Sequence, residues 1–167
     1  TAQAAGGQIA TALEPPSSTP TLTPDPKQPP PCTQVGQTWT SPVDGMTLVC
    51  VPAGAFSMGS EDGDDDEKPV HEVSLDAFWI DRTEVTNATF AAFVEATGYQ
   101  TEAEDQGWGY VWTNSDWEQV DGADWQHPQG PEGSIEELTN HPVVQVSWND
   151  AKAYCEWAER RLPTEAE

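Results

Sequence analysis

Three cysteines, three histidines and a scatter of carboxylates among tryptophans are the side chains of this 167-residue chain that could do redox, metal or acid–base chemistry. Cys32, Cys50 and Cys155 contain no C-x-x-C pair, so neither a zinc ribbon nor a thioredoxin-like dithiol is encoded. A copper(I) centre needs soft thiolates brought together. These three are spread over a proline-rich linker, a predicted strand and the apolar face of a predicted helix. Cys32 and Cys50 could instead pair with each other, closing a loop of roughly 17 residues and contributing about 3 kcal/mol. Such a bond implies an oxidising compartment. Cys155 reads equally well as a small apolar core residue. His71, His127 and His141 are dispersed, and the last two precede proline, which keeps them extended. They encode no metal site.

Glu84, in RTEVTN, is a carboxylate just after a predicted strand; its commoner role is to orient a neighbouring loop or cap a helix. Trp108, Trp125 and His127 lie in an aromatic, proline-flanked stretch suited to lining a groove for an extended peptide. The alternative is that a loop-rich fold with few helices fills its core with these tryptophans. The acidic run EDGDDDE, 61–67, has the charge of a calcium loop but not the spacing of an EF-hand, and reads as solvated. Asn87-Ala88-Thr89 is a formal glycosylation acceptor at a position where Asn and Thr also suit a helix start.

The elements that would position these side chains begin after a compositional break. Residues 1–42, rich in Pro, Thr, Ser, Gln and Ala, cannot bury enough apolar surface to fold, and read as a disordered, semi-extended linker. Residues 43–167 form the candidate domain. MTLVCVPAG and AFSMGS predict two strands joined as a hairpin, and VHEVSL and AFWIDRTEV predict two more. Thr86 caps a predicted helix over 87–97 with Gly98 as its stop. Gly107 to Gly133 predicts a long aromatic loop with short strands. Ser134 and Glu137 predict a brief capped helix, and PVVQVSW a strand ending at Trp148. Asn149 or Asp150 then caps a second helix, with Arg160 and Arg161 at its C-terminal end, where cations suit the macrodipole. Thr164 and Glu167 form another capping box.

Lys and Arg number 6 against 29 Asp and Glu, a net charge of −23, which disfavours nucleic acid and anionic membrane surfaces as partners. No apolar run is long enough for a transmembrane helix, so direct membrane insertion of this segment is not expected. The Thr/Ser/Pro composition suits an extracytoplasmic stalk, secreted or tethered through a segment upstream of Thr1.

VDGMTLVCVPAGAFSMGS, VSLDAFWIDRTEVTNATFAAFVEATGY, TEAE at 101–104, WQHPQGP at 125–131 and HPVVQVSWNDAKAYCEWAERRLPTEAE follow one another in an order that resembles the formylglycine-generating enzyme, or sulfatase-modifying factor, family. Single pieces are shared with relatives that keep the domain without the chemistry; WQHPQGP resembles the longer variant of the enzymes themselves. The resemblance implies an irregular, loop-rich α+β fold like that of C-type lectins, here truncated at its C-terminus. It also implies oxidation of a sulfatase cysteine to Cα-formylglycine using copper and dioxygen, with calcium stabilising the fold. The substrate would be an unfolded sulfatase peptide with a C-x-P-x-R type motif.

In the family the copper-binding cysteine pair and most calcium ligands lie beyond RLPTEAE. The resemblance therefore puts no catalytic residue and no metal ligand in this chain, and implies that it is inactive alone. It places Glu84 near the substrate cleft and matches Cys155 to a structural disulfide whose partner lies far downstream. Relatives often carry Asp-Ser where this chain has Trp108-Gly109, so a polar contact to substrate is lost or replaced. The alternative function is a non-catalytic peptide- or glycan-binding or sensor module of the same fold. A sulfoxide synthase module is disfavoured, because a Pro-rich segment stands where a histidine-bearing helical bundle would be.

Overall fold

The computed structural model describes residue 25 and residues 27–167; the expected linker therefore lies mostly outside the described residues. Its expected boundary at residue 42 needs correction. Strand β1 (Thr38–Thr40) pairs antiparallel with β2 (Thr47–Val51), placing Trp39 opposite Leu48. The β-favouring Thr-Trp-Thr triplet thus joins the sheet, although the composition around it reads as linker.

On its other edge β2 pairs with β5 (Phe78–Asp81), with Cys50 opposite Trp79. This central position explains a second difference. β3 (Gly54–Met58) follows β2 after Pro52 and Ala53, but it does not fold back as the predicted hairpin. Both edges of β2 are occupied, so β3 pairs with β4 (His71–Leu75) in a separate two-stranded sheet. The acidic run between them is exposed and forms only a short 3-10 turn at Asp65–Glu67.

Helix α1 (Asn87–Thr97) starts as the sequence indicates. The Thr86 hydroxyl accepts from the Thr89 amide, the Thr89 hydroxyl answers at the Thr86 amide, and Gly98 closes the helix at φ 68°. A short α2 (Glu102–Gln106) is capped by the same device, Thr101 with Glu104. In the aromatic stretch that follows, the expected short strands form a regular hairpin, β6 (Trp108–Trp112) with β7 (Trp117–Asp121), and turns carry the rest to Gly133.

The helix predicted at Ser134 is replaced by turns, in which the Ser134 hydroxyl accepts from the Glu136 amide. The strand predicted over 142–148 is also absent. Gln145 adopts φ 58°, and its side-chain amide donates to the carbonyls of Tyr110 and Pro128 at 2.8 and 3.0 Å, breaking the extended run. α3 (Trp148–Trp157) is capped by Ser147, ahead of the expected caps Asn149 and Asp150; the Ser147 hydroxyl accepts from the Asp150 amide, and Asp150 answers at the Ser147 amide.

α1 and α3 meet over an aromatic core of Phe90, Phe93, Trp125 and Tyr154, with Ala158 beside them. Phe90 stands edge-to-face on Trp125 at 5.3 Å and Phe93 edge-to-face on Tyr154 at 5.7 Å. The whole is an irregular α+β arrangement in which turns and loops carry much of the chain.

Candidate functional site

The chain leaving α3 turns sharply. Glu159 takes φ 58° and the Arg160 amide donates back to the Cys155 carbonyl at 2.7 Å, which aims the Arg160 side chain at the sheet instead of at the helix end. There its guanidinium bonds Asp81, the last residue of β5, at 3.0 Å, and Asp44, in the turn before β2. The Tyr154 hydroxyl donates to Asp44 Oδ2 at 2.7 Å. The Asp44 carboxylate is fully enclosed and the Arg160 side chain is 15% exposed. One cation, two carboxylates and one phenol therefore tie α3, β5 and the β1–β2 turn together. The next arginine, Arg161, pairs with Glu167 at 2.6 Å, and the Thr164–Glu167 capping box is formed, Glu167 accepting from the Thr164 amide and donating its own to the Thr164 hydroxyl.

Charge and burial compete in this cluster. Burial alone would raise the Asp44 carboxyl, but the Tyr154 hydroxyl, Ser41, Arg160 and the Met46 amide together outweigh it and hold Asp44 below its ordinary value. Burial raises Asp81, helped by Asp44 and only partly countered by Arg160. Burial, then the bond to Asp44, pushes the Tyr154 phenol well up, so it stays a donor. Cys155 lines the same region as a free thiol, and burial raises it despite Arg160. It is a protonated, poorly nucleophilic group at neutral pH.

Beside the cluster opens a cleft of about 680 Å³. Its floor is Phe78 and Ile80 of β5; its walls are the loop Arg82–Val85, the segment from Cys155 to Pro163, and Lys27–Pro29 of the N-terminal strand-less segment. Glu84 is exposed at this cleft and also borders a small hollow with Asn140 and Pro142. An apolar floor with one free carboxylate and nearby arginines can hold an extended peptide and order it by hydrogen bonds.

The four residues expected to bind substrate do not converge. Trp108 is half-buried at the start of β6, stacked edge-to-face on Tyr110 at 5.2 Å, and does not line the cleft. His127 is held at Asp124, which accepts from the His127 and Gln126 amides at 2.8 and 2.7 Å and faces the ring Nδ1 at 3.1 Å. Trp125 must be withdrawn as a groove residue: it is 3% exposed and packed among the core aromatics. Its indole N–H has no partner in the described chain. Asn87 is likewise buried, donating to the Leu138 carbonyl at 2.8 Å, which closes the formal glycosylation acceptor in the folded chain.

Sequence reasoning did not find Asp44, Asp81 and Tyr154 as partners, and gave Arg160 a helix-end role. Only the local signal of an Arg pair before Pro163 was available; the carboxylates that meet Arg160 lie 79 and 116 residues away in the chain.

Cys32 and Cys50 are joined, with Cα atoms 5.3 Å apart, while Cys155 stands apart from them as a free thiol. Among the described residues no group of three or more His, Cys, Asp or Glu side chains could share a metal ion. With two of three thiols consumed by a disulfide, the donor set of this chain does not fit a two-thiolate copper site.

A family profile described as the Sulfatase-modifying factor enzyme 1-like domain matches residues 34–167. A formylglycine-generating enzyme of Thermomonospora curvata is 49% identical over 144 residues, covering 72% of this chain and 46% of that protein. An inactive C-alpha-formylglycine-generating enzyme 2 of Bos taurus is 43% identical over 150 residues, covering 77% of this chain and 50% of that one. Among solved structures, PvdO from Pseudomonas aeruginosa superimposes with a TM-score of 0.51 at 28% identity, over 75% of this chain and 44% of its own. The chain thus spans about half the length of the curated relatives it matches.

Proposed function

This chain belongs to the sulfatase-modifying factor enzyme family, and from that premise we propose that the protein carrying it modifies sulfatases, oxidising a cysteine in an unfolded sulfatase peptide of C-x-P-x-R type to Cα-formylglycine. The observation that carries the reading is the 49% identity to a formylglycine-generating enzyme, sustained over 144 residues. In this proposal copper, dioxygen chemistry and calcium binding are supplied from outside the described residues, whose thiols and carboxylates form no group that could share a metal ion. The described residues act as scaffold and as one wall of a peptide cleft. Arg160, Asp44 and Asp81 fix the segment leading to Glu167, and Glu84 offers a carboxylate to a passing peptide. An extracytoplasmic setting, secreted or tethered, accords with the Cys32–Cys50 bond.

A second reading is favoured by one specific observation: inactive paralogues are 43–44% identical to this chain, within the 42–49% spanned by the formylglycine-generating enzymes. On that reading the protein is a non-catalytic binding module. The two separate on one experiment, in which the complete, copper-loaded protein is incubated in air with a C-x-P-x-R peptide and the peptide is examined for an aldehyde by mass spectrometry. Aldehyde formation is expected. Binding of the peptide without product would establish the module instead.

A further inference from the structure

The segment from Lys27 to Thr33 runs alongside the cleft as a strap, and its sequence denies it the usual means of attachment. Pro29, Pro30 and Pro31 have no backbone N–H, so the strap cannot join a sheet edge through a hydrogen-bond ladder. Among the described residues its noncovalent ties to the body of the fold are sparse. The Trp79 indole donates to the Pro30 carbonyl at 3.1 Å, the Gln37 side-chain amide donates to the Pro31 carbonyl and accepts from the Thr33 amide, both at 3.3 Å, and Lys27 meets Glu159 at 3.4 Å between two well-exposed side chains, a pair of little energetic weight.

The remaining tie is covalent. Cys50 is buried at the centre of the three-stranded sheet, and its bond to Cys32 brings the Cys32 sulfur to 3.3 and 3.4 Å from the carbonyl oxygens of Val51 and Phe78. In a disulfide that sulfur carries no hydrogen, so these contacts are packing and not hydrogen bonds. The bond therefore pins the strap over the junction of β2 and β5, and Phe78 of that junction is part of the cleft floor.

We propose that Cys32–Cys50 is a redox-operated latch that holds the Lys27–Thr33 strap as a wall of the cleft and releases it on reduction. The reductant is a dithiol. Its thiolate attacks the sulfur of Cys32, the more exposed of the pair, breaking the S–S bond and releasing Cys50, which takes up a proton. The second thiol of the reductant then displaces Cys32 from the mixed disulfide. Two electrons and two protons pass to the protein, and the dithiol leaves as a disulfide. Once open, the strap keeps, among the described residues, the Trp79–Pro30 bond, the Gln37 bonds at its C-terminal end and the exposed Lys27–Glu159 pair, and its Lys27–Pro29 end swings free so that the cleft widens on that side.

Trp79 reports the state of the latch, because it is half-buried beneath the strap on β5. The test is hydroxyl-radical footprinting of the full chain, read residue by residue by mass spectrometry, in three samples: oxidised, reduced with a dithiol, and C32S/C50S. Modification of Trp79 is expected to rise about threefold or more in the reduced and substituted samples, as for a locally opened segment. Trp125, deep in the aromatic core, should stay protected in all three. Unchanged Trp79 modification would show that the strap stays in place without the bond and would overturn the proposal. So would a parallel rise at Trp125, which would make the bond a general stabiliser of the fold.

Discussion

At the scale of single residues the Asp44–Arg160–Asp81–Tyr154 cluster is the feature with the most to lose. Removing one partner of a buried ion pair leaves the others uncompensated, so Asp44→Asn should cost about 3 kcal/mol in urea unfolding. A cost near that of an ordinary surface substitution would mean that water reaches the cluster. The cluster also sets a pH dependence whose two parts have opposite signs. Asp44 is depressed in the folded state, so its stabilisation is present above the unfolded value of 3.8 and is lost as the pH falls through the lower folded value. Asp81 is raised, so its stabilisation is present below 3.8 and is lost as the pH rises through its folded value. The two slopes act in adjoining windows, that of Asp81 above 3.8 and that of Asp44 below it. Asp81→Asn should abolish the gain of stability on acidification toward 3.8 while keeping the loss below it, measured as urea midpoints against pH.

At the scale of elements, capping decides which short helices form. Thr101 is fully buried, and both its hydroxyl and its backbone amide are engaged with Glu104. Thr101→Ala should cost about 1 kcal/mol, and Thr86→Ala at α1 a similar amount, by thermal or urea unfolding. Ser134→Ala, at a site where the same sequence pattern forms only a turn, should cost less than about 0.5 kcal/mol. The three sites look alike in sequence. What separates them is whether the fourth residue of the box turns back: Glu104 and Thr89 do, while the Ser134 hydroxyl accepts from Glu136 and the chain turns away. The same dependence on context governs the strands. β2 and β3 were legible as short apolar runs and β4 and β5 from alternation, but pairing was not, because the occupation of both edges of β2 is not a property of β2 and β3 alone.

At the scale of the molecule, a net charge of −23 makes self-repulsion a standing cost that salt screens. Raising sodium chloride from about 0.05 to about 0.5 M should therefore raise the melting temperature, since the Debye length shrinks severalfold over that range. A fall would indicate that specific ion pairs outweigh the general repulsion. The same field favours basic segments of a partner, so on the proposed function a C-x-P-x-R peptide should bind more weakly as salt is added, by titration against the complete protein.

The sequence by itself determined the family, because ordered motifs from Val43 to the end outweigh any one of them. It also determined α1, whose cap, apolar spacing and terminating glycine all act within a few residues. The Cys32–Cys50 pair was legible as a possibility, from two cysteines at a separation of 18, but not as a fact, since any odd set of cysteines admits other pairings. Tertiary structure alone decided the rest. Trp125 belongs to the core and not to a groove, because which tryptophans are covered depends on what α1 and α3 pack against. Gln145 breaks a run that alternates like a strand, because its amide is drawn to carbonyls of Tyr110 and Pro128. Arg160 serves a buried cluster instead of a helix end, because its carboxylate partners are distant in the chain and adjacent only once the sheet and α3 have met. Local order is written in neighbouring residues; burial and long-range pairing are properties of the assembled fold.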